Sequence, residues 1–142
     1  MSANRAPAIR RIEDAELSAA FQVVCQLRSH LTEDEFIARV ERQRAFGYWI
    51  AGAFVEETLL GVIGMREVET LARGRHLHID DLVVDEHARR TGTGRMLLQF
   101  AEEYARSKQL AAVFLDSRTE VIPFYERFGY SAHAALLMRK RL

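Results

Sequence analysis

The stretch of sequence that decides the fold is residues 83–95, which read VVDEHARRTGTGR. Two valines end a predicted strand, a polar turn with two glycines follows, and the turn leads into an amphipathic helix. The first N–H groups of a helix have no partner inside it, and the helix dipole adds partial positive charge there. Glycines let an anion approach the backbone closely, and Arg89, Arg90 and Arg95 add positive charge. This turn is therefore predicted to bind a phosphate group.

The composition is that of one compact domain. The chain has 142 residues, of which 49% are hydrophobic, with 20 basic and 20 acidic side chains. We expect a single domain over residues 1–142, and the formal charge of zero gives no reason to expect a nucleic-acid partner. The single cysteine, Cys25, excludes a disulfide framework, and no apolar run reaches the length of a signal peptide or a membrane span. A cytoplasmic protein without a membrane partner is expected.

The patterns along the chain predict an α/β (α+β) fold in the order β-α-α-β-β-β-α-β-α-β. We expect a mixed, mostly antiparallel sheet of six to seven strands with helices on both faces. Asp14 is predicted to cap the first helix, and Thr32 with Glu35 to cap the second. Gly129 is predicted to end the last helix. The predicted strands cover residues 8–12, 48–55, 59–68, 75–84, 111–115 and 130–142.

The strand over residues 75–84 changes its inside–outside phase. Leu77 and Ile79 occupy odd positions, whereas Leu82 and Val84 occupy even ones. Strand side chains alternate strictly, so both apolar pairs can share a face only if one extra residue is inserted between them. We predict a β-bulge at residues 80–82, which would splay this central strand from its neighbour and leave backbone groups for an extended ligand.

Two other phosphate-binding folds also contain a glycine turn between a strand and a helix. A P-loop is excluded because no Gly-Lys-Ser/Thr follows a glycine at the required spacing. A dinucleotide-binding fold has its strand, its glycines and an acidic residue, Asp116, at a suitable distance. However, Leu97 stands where the third glycine should be, and too little chain follows for a doubly wound half. A nucleotide-binding module therefore stays only as a weaker alternative.

The motif R-x-x-G-x-G at residues 89–94, after the apolar triplet at 82–84, and the segment FYERFGY at residues 124–130 resemble the GNAT superfamily of acetyl-CoA-dependent N-acetyltransferases. The resemblance spans the domain and is most specific over residues 79–130. It implies acetyl-CoA as co-substrate, with its diphosphate on the turn and its pantetheine along the strand. It implies no metal, and it leads us to expect a homodimer. The residues that it assigns to acetyl-CoA are Leu82, Val83, Val84, Arg89, Arg90, Thr91, Gly92, Thr93, Gly94 and Arg95.

The resemblance also implies two catalytic groups. It assigns to Tyr125 the protonation of the leaving thiolate, a role that suits a phenol with a pKa near 10. The alternative for Tyr125 is a ring that only packs on the core. Asp80 is the expected base for the amine, directly or through water, with His78 as the reserve. Asp81 is expected either to contact the substrate or to orient the backbone at the bulge.

Alternation places His76, His78 and Asp80 on one face of their strand, where they are expected to line the substrate groove. The same trio could suggest a metal site, but acetyl transfer of this kind needs no metal, and none is predicted. Acidic side chains near the groove, Asp80, Asp81, Glu67 and Glu69, would suit a cationic amine. The family pattern often has asparagine where this chain has Arg118.

The sequence therefore predicts an N-acetyltransferase that moves the acetyl group of acetyl-CoA directly to a primary amine of a small molecule or peptide. A different class of function stays open, because the same fold could bind an acyl-CoA as a sensor or partner module without turnover.

Overall fold

The computed structural model describes residues 5–142, so the first four residues, where the sequence predicts no targeting segment, lie outside it. The described residues form a five-stranded sheet in the order β1-β2-β3-β4-β5. Strands β1 to β4 are antiparallel to their neighbours, and β5 runs parallel to β4. The strands are β1 (Ala8–Arg11), β2 (Trp49–Val55), β3 (Thr58–Thr70), β4 (Gly74–Val84) and β5 (Val113–Leu115).

Helices cover both faces of this sheet, as the sequence predicts. One face packs against α1 (Leu17–Val24) and α2 (Glu33–Arg44), and its core includes Tyr48 and Val62. The other face packs against α3 (Thr93–Ser107), and its core includes Met65. The short helix α4 (Ile122–Glu126) follows β5, and the turn after it ends at Gly129, whose φ of +89° is a left-handed conformation that suits glycine.

The caps of the first two helices differ in how well the sequence predicts them. Thr32 caps α2 as predicted, because its hydroxyl oxygen accepts the backbone N–H of Glu35 at 3.2 Å. The cap predicted at Asp14 is wrong. A short 3-10 turn precedes α1, its cap is Glu13, and the Asp14 carboxylate instead pairs with Arg44 at 2.6 Å.

The predicted bulge is present and lies at Asp80. In the register of β3 and β4, Gly64 faces Asp81 and Met65 faces Ile79, so Asp80 has no cross-strand partner. The extra residue restores the phase, because Ile79 and Leu82 both pack in the core beneath α3. The bulge therefore keeps Leu77, Ile79 and Leu82 on the α3 face, while Val83 packs in the core on the other face.

The predicted sixth strand is wrong, and so is the expectation of six to seven strands. Residues 131–142 have no regular structure, and their side chains are exposed. Strand β5 is only three residues long, so it offers little edge for another strand to pair with. A strand also needs a hydrogen-bonding neighbour, which the pattern of side chains cannot supply. Among residues 5–142, no helix has the length and apolar character to cross a membrane.

Candidate functional site

The turn before α3 has the geometry of an anion site. Gly92 caps the helix with a φ of +84°, and Arg90 has a φ of +65°, so two left-handed residues flank Thr91. Turns of this kind bring successive backbone N–H groups together. The first intrahelical bond at this end runs from the N–H of Met96 to the carbonyl oxygen of Gly92 at 3.0 Å. The N–H groups of residues 93–95 therefore have no partner inside the helix.

This turn borders a cavity of about 750 Å³ that lies between β4, the start of α3 and α4. Every residue predicted to bind acetyl-CoA lines this cavity except Thr91. The hydroxyl of Thr91 instead contacts the Ala88 carbonyl oxygen and lies 2.8 Å from the hydroxyl of Thr93, so it holds the turn in shape. The structure thus brings the predicted cofactor residues to one place. They are Leu82, Val83, Val84, Arg89, Arg90, Gly92, Thr93, Gly94 and Arg95.

Strand β4 reaches this cavity with one edge open. Its pairing with β5 covers residues 77–79 only, ending where Ile79 faces Leu115. Beyond that point, the described residues provide no strand beside this edge of β4, although β3 pairs with the other edge as far as Val84. Backbone groups of Leu82 to Val84 are therefore available to an extended ligand in the cavity.

Tyr125 lies on α4 and lines the same cavity. Its ring packs edge-on against Phe124 and Tyr130, with ring centroids 5.1 and 5.9 Å away. Burial raises the pKa of the Tyr125 hydroxyl above its ordinary value of 10.0. The ring thus packs on its neighbours, and the side chain lines the cavity with a phenol that is protonated at neutral pH.

The predicted base, Asp80, does not line this cavity. Its carboxylate accepts two hydrogen bonds from Arg66, at 2.8 and 3.3 Å. The Nε2 atom of His78 is 3.8 Å from an Asp80 oxygen and 3.7 Å from an oxygen of Asp116. Asp80 and His78 are therefore neighbours at the bulge, and Asp116, which we did not predict as a site residue, joins them from the end of β5.

Asp81 has internal partners for both of its carboxylate oxygens. The Tyr48 hydroxyl donates to Oδ2 at 2.7 Å, and Nε of Arg28 donates to Oδ1 at 3.0 Å. Of the two roles expected for Asp81, this geometry favours orientation of the backbone over contact with a substrate. Asp81 is also outside the cavity lining.

Two expectations about the groove are wrong. His76 is 1% exposed, its Nδ1 lies 2.9 Å from the Gly74 carbonyl oxygen, and its ring packs on Phe114, so it is a core residue. Glu67 accepts a hydrogen bond from Tyr104 of α3 at 2.6 Å, so it lies on the opposite face of the sheet from Asp81. Among residues 5–142, no cluster of three or more His, Cys, Asp or Glu side chains could hold a metal ion.

Sequence reasoning missed several residues that line the cavity. Arg118 and Arg127 add two guanidinium groups, and Gln26 and Leu27 enter from the end of α1. The Gln26 amide donates to a carboxylate oxygen of Asp85 at 3.1 Å, which ties the chain after α1 to the turn. The arginine at position 118, where the family pattern often has asparagine, could have suggested a cationic contact with the ligand. Nothing local predicts the part played by Gln26, because its partner is 59 residues away.

Comparisons with known proteins agree with this geometry. A model of the Acetyltransferase (GNAT) family matches residues 7–130. A glucosamine 6-phosphate N-acetyltransferase of Trypanosoma brucei brucei is 32% identical over 137 residues, covering 88% of this chain and 89% of that protein. The crystal structure of a Trypanosoma brucei acetyltransferase superposes with a TM-score of 0.81 at 28% identity, covering 96% of this chain and 99% of that chain.

An aminoglycoside N-acetyltransferase in complex with CoA has the same fold. Its TM-score is 0.82 at 16% identity, and the match covers 97% of this chain and 98% of that chain.

Proposed function

Because the chain belongs to the GNAT family of acetyltransferases, we propose that it transfers the acetyl group of acetyl-CoA to a primary amine. One observation carries the proposal. The anion-binding turn, the open edge of β4 and the protonated phenol of Tyr125 border a single cavity. An extended thioester with a diphosphate at one end would bind along these three features in that order.

The proposed binding follows from the groups in the cavity. The diphosphate of acetyl-CoA would lie on the N–H groups of residues 90–95, with arginine side chains around it. The pantetheine would pair with the backbone of β4 at residues 82–84, as another strand would. Arg118 adds a cationic contact on the α4 side.

The proposed reaction is a direct transfer in a ternary complex. The amine nitrogen attacks the thioester carbon, and a backbone N–H of Leu82 or Val83 stabilises the oxyanion that forms. The C–S bond then breaks, and Tyr125 gives its proton to the thiolate sulfur. Asp80, oriented by Arg66, takes the proton from the nitrogen, with His78 as the other candidate. The products are an N-acetylated amine and CoA as a free thiol.

We propose an amine that also carries an anionic group. The expectation of an acidic groove for a cationic amine rested on carboxylates that are paired with Arg66 and Arg28 or lie on the other face. Arg66 and Arg28 therefore neutralise Asp80 and Asp81, which leaves Asp116 beside His78 and does not favour a polycation. An amino sugar phosphate, such as the glucosamine 6-phosphate in the name of the Trypanosoma brucei brucei relative, is the first amine to test.

A panel of amines tests the function. Release of the CoA thiol from acetyl-CoA is followed with glucosamine 6-phosphate, glucosamine, spermidine, an aminoglycoside and a peptide with a free N-terminus. We expect amine-dependent release that is fastest with the sugar phosphate. Tight binding of CoA without release for any amine would support the non-catalytic acyl-CoA module instead, and tighter binding of NAD than of CoA would support a nucleotide-binding module.

We also propose that the protein is a homodimer. The support is the C-terminal segment, where Leu136, Leu137 and Met138 are 85–87% exposed and Leu142 is fully exposed. The segment and β5 line one cavity, but the segment does not pair with this strand. A second copy of the chain could cover these apolar side chains.

A further inference from the structure

The bulge in β4 is held by side chains that the proposed reaction does not use. Asp80 is the inserted residue, and Asp81 follows it directly. Asp81 is half-buried, with 18% of its side chain exposed. Its carboxylate accepts hydrogen bonds from the hydroxyl of Tyr48 and from the guanidinium of Arg28. We call Tyr48, Gly64, Asp81 and Arg28 the Asp81 clamp.

The Tyr48 hydroxyl reaches Asp81 by crossing over β3. Tyr48 precedes β2, Asp81 lies on β4, and the residue of β3 that faces Asp81 is Gly64. A Cβ atom at Gly64 would lie 2.0 Å from the Tyr48 hydroxyl oxygen and 2.6 Å from the ring carbon that carries it. Only glycine therefore leaves room for the hydroxyl at this position. Tyr48 is only 4% exposed, and its buried hydroxyl donates a hydrogen bond to Asp81, which offsets the cost of burying a polar group.

Arg28 ties the bulge to the helical layer. It lies in the connection between α1 and α2, and its Nε donates to Asp81 at 3.0 Å. Its Nη2 also donates to the backbone carbonyl oxygen of Asp80 at 3.0 Å. The guanidinium thus holds both the side chain after the bulge and the backbone of the bulged residue.

The clamp lies next to the backbone that the reaction needs. Leu82 follows Asp81 directly, and Leu82 and Val83 line the cavity. A bulge has an unpaired residue and therefore fewer constraints from the sheet than a regular strand. We infer that Tyr48 and Arg28 are positioning residues for acetyl transfer, which fix the bulge through Asp81 so that the Leu82 and Val83 amides meet the thioester. The inference rests on the proposed function.

The test compares Tyr48→Phe with Tyr104→Phe. Each variant keeps its ring and loses one hydroxyl that donates to a carboxylate, at 2.7 Å to Asp81 and at 2.6 Å to Glu67. We expect Tyr48→Phe to lower kcat about tenfold while the Kd for CoA changes by less than about twofold, because oxyanion contacts tolerate little displacement and the diphosphate site is separate. Tyr104→Phe should leave kcat unchanged. Arg28→Gln, at a more exposed side chain, should lower kcat in the same way.

A second measurement keeps the inference independent of turnover. Hydrogen exchange of the amides of residues 80–84, measured without ligand, should be faster in Tyr48→Phe than in the wild type and unchanged in Tyr104→Phe. A wild-type protein that acetylates no amine refutes the proposed function, and exchange alone then decides the inference. Normal kcat in Tyr48→Phe, or unchanged exchange in that variant, overturns it. A purely structural role would lower Tm while kcat at 25 °C stayed normal.

Discussion

At the scale of single residues, Tyr125 is the acid that we propose, and its step would separate an enzyme from a binding module. Its burial favours the neutral phenol, which is the form that can give a proton to a thiolate. Tyr125→Phe should lower kcat about a hundredfold, a usual loss for a general acid, and should change the Kd for CoA by less than about twofold. Thiol release and calorimetry measure the two quantities.

Tyr104→Phe serves as the control for this change, because its hydroxyl bonds Glu67 on the α3 side, away from the cavity. Turnover that is equal in Tyr125→Phe and in the wild type would remove Tyr125 from the mechanism.

Glu16 provides a prediction for the pH dependence of stability. Two hydrogen bonds from Arg10, at 2.9 and 2.6 Å, and one from the Glu13 backbone N–H lower the pKa of its carboxyl from 4.5 to about 2. A pKa that is lower in the folded state adds stability above pH 4.5, and this stability is lost as the pH falls towards 2. Glu16→Gln should lower Tm at pH 7 by no more than about 3 °C, because the pair is largely solvent-screened.

The difference in Tm between the wild type and Glu16→Gln should shrink as the pH falls from 4.5 to 2. Thermal denaturation across this range measures it. Glu41→Gln, at an exposed position of α2, should change Tm little at any pH. A difference that grows towards low pH would contradict the assignment of this ion pair.

At the scale of elements, we expect the left-handed cap of α3 to place the first N–H groups of the helix for the proposed contact with the CoA diphosphate. Gly92 has a φ of +84° and no atom within 4 Å of a built Cβ, so Gly92→Ala adds backbone strain without a clash. Left-handed backbone costs an ordinary residue about 1–2 kcal/mol, so the Kd for CoA should rise about tenfold as the turn relaxes.

Gly47→Ala is the matched control for the cap. Gly47 has a φ of +88°, has open space around its Cβ position and lies before β2. Both variants should lose similar stability, and only Gly92→Ala should weaken binding in calorimetry. An equal effect of the two variants on the Kd would show that the turn conformation does not matter to CoA.

At the scale of the whole molecule, the proposed homodimer rests on the C-terminal segment. Replacing Leu136 and Leu137 together by aspartate adds charge to two side chains that are each 85% exposed. The described chain buries neither of them, so the substitutions should not unfold it. We expect a dimer for the wild type and a monomer for the double variant in light scattering coupled to size exclusion. A wild-type monomer at all concentrations would contradict the homodimer.

The sequence by itself determined the features whose signals are local. The phase change between Ile79 and Leu82 required the bulge, and Gly92 between a strand and an amphipathic helix indicated the glycine turn that begins α3. Alternation and helical period also predicted helices on both faces of the sheet. In each case a few adjacent residues contain the whole physical cause, so no knowledge of distant contacts was needed.

Only the tertiary structure decided which polar side chains meet. Tyr48 and Arg28 bond Asp81 from 33 and 53 residues away in the sequence. Arg66 donates a hydrogen bond to the carboxylate of Asp80, the predicted base. The prediction of a C-terminal strand is wrong for the same reason, because alternation describes side chains, whereas a strand requires a neighbouring backbone to pair with. Contacts between distant residues depend on register and on helix packing. A sequence read residue by residue does not specify these, so the roles of polar side chains emerge only in the folded chain.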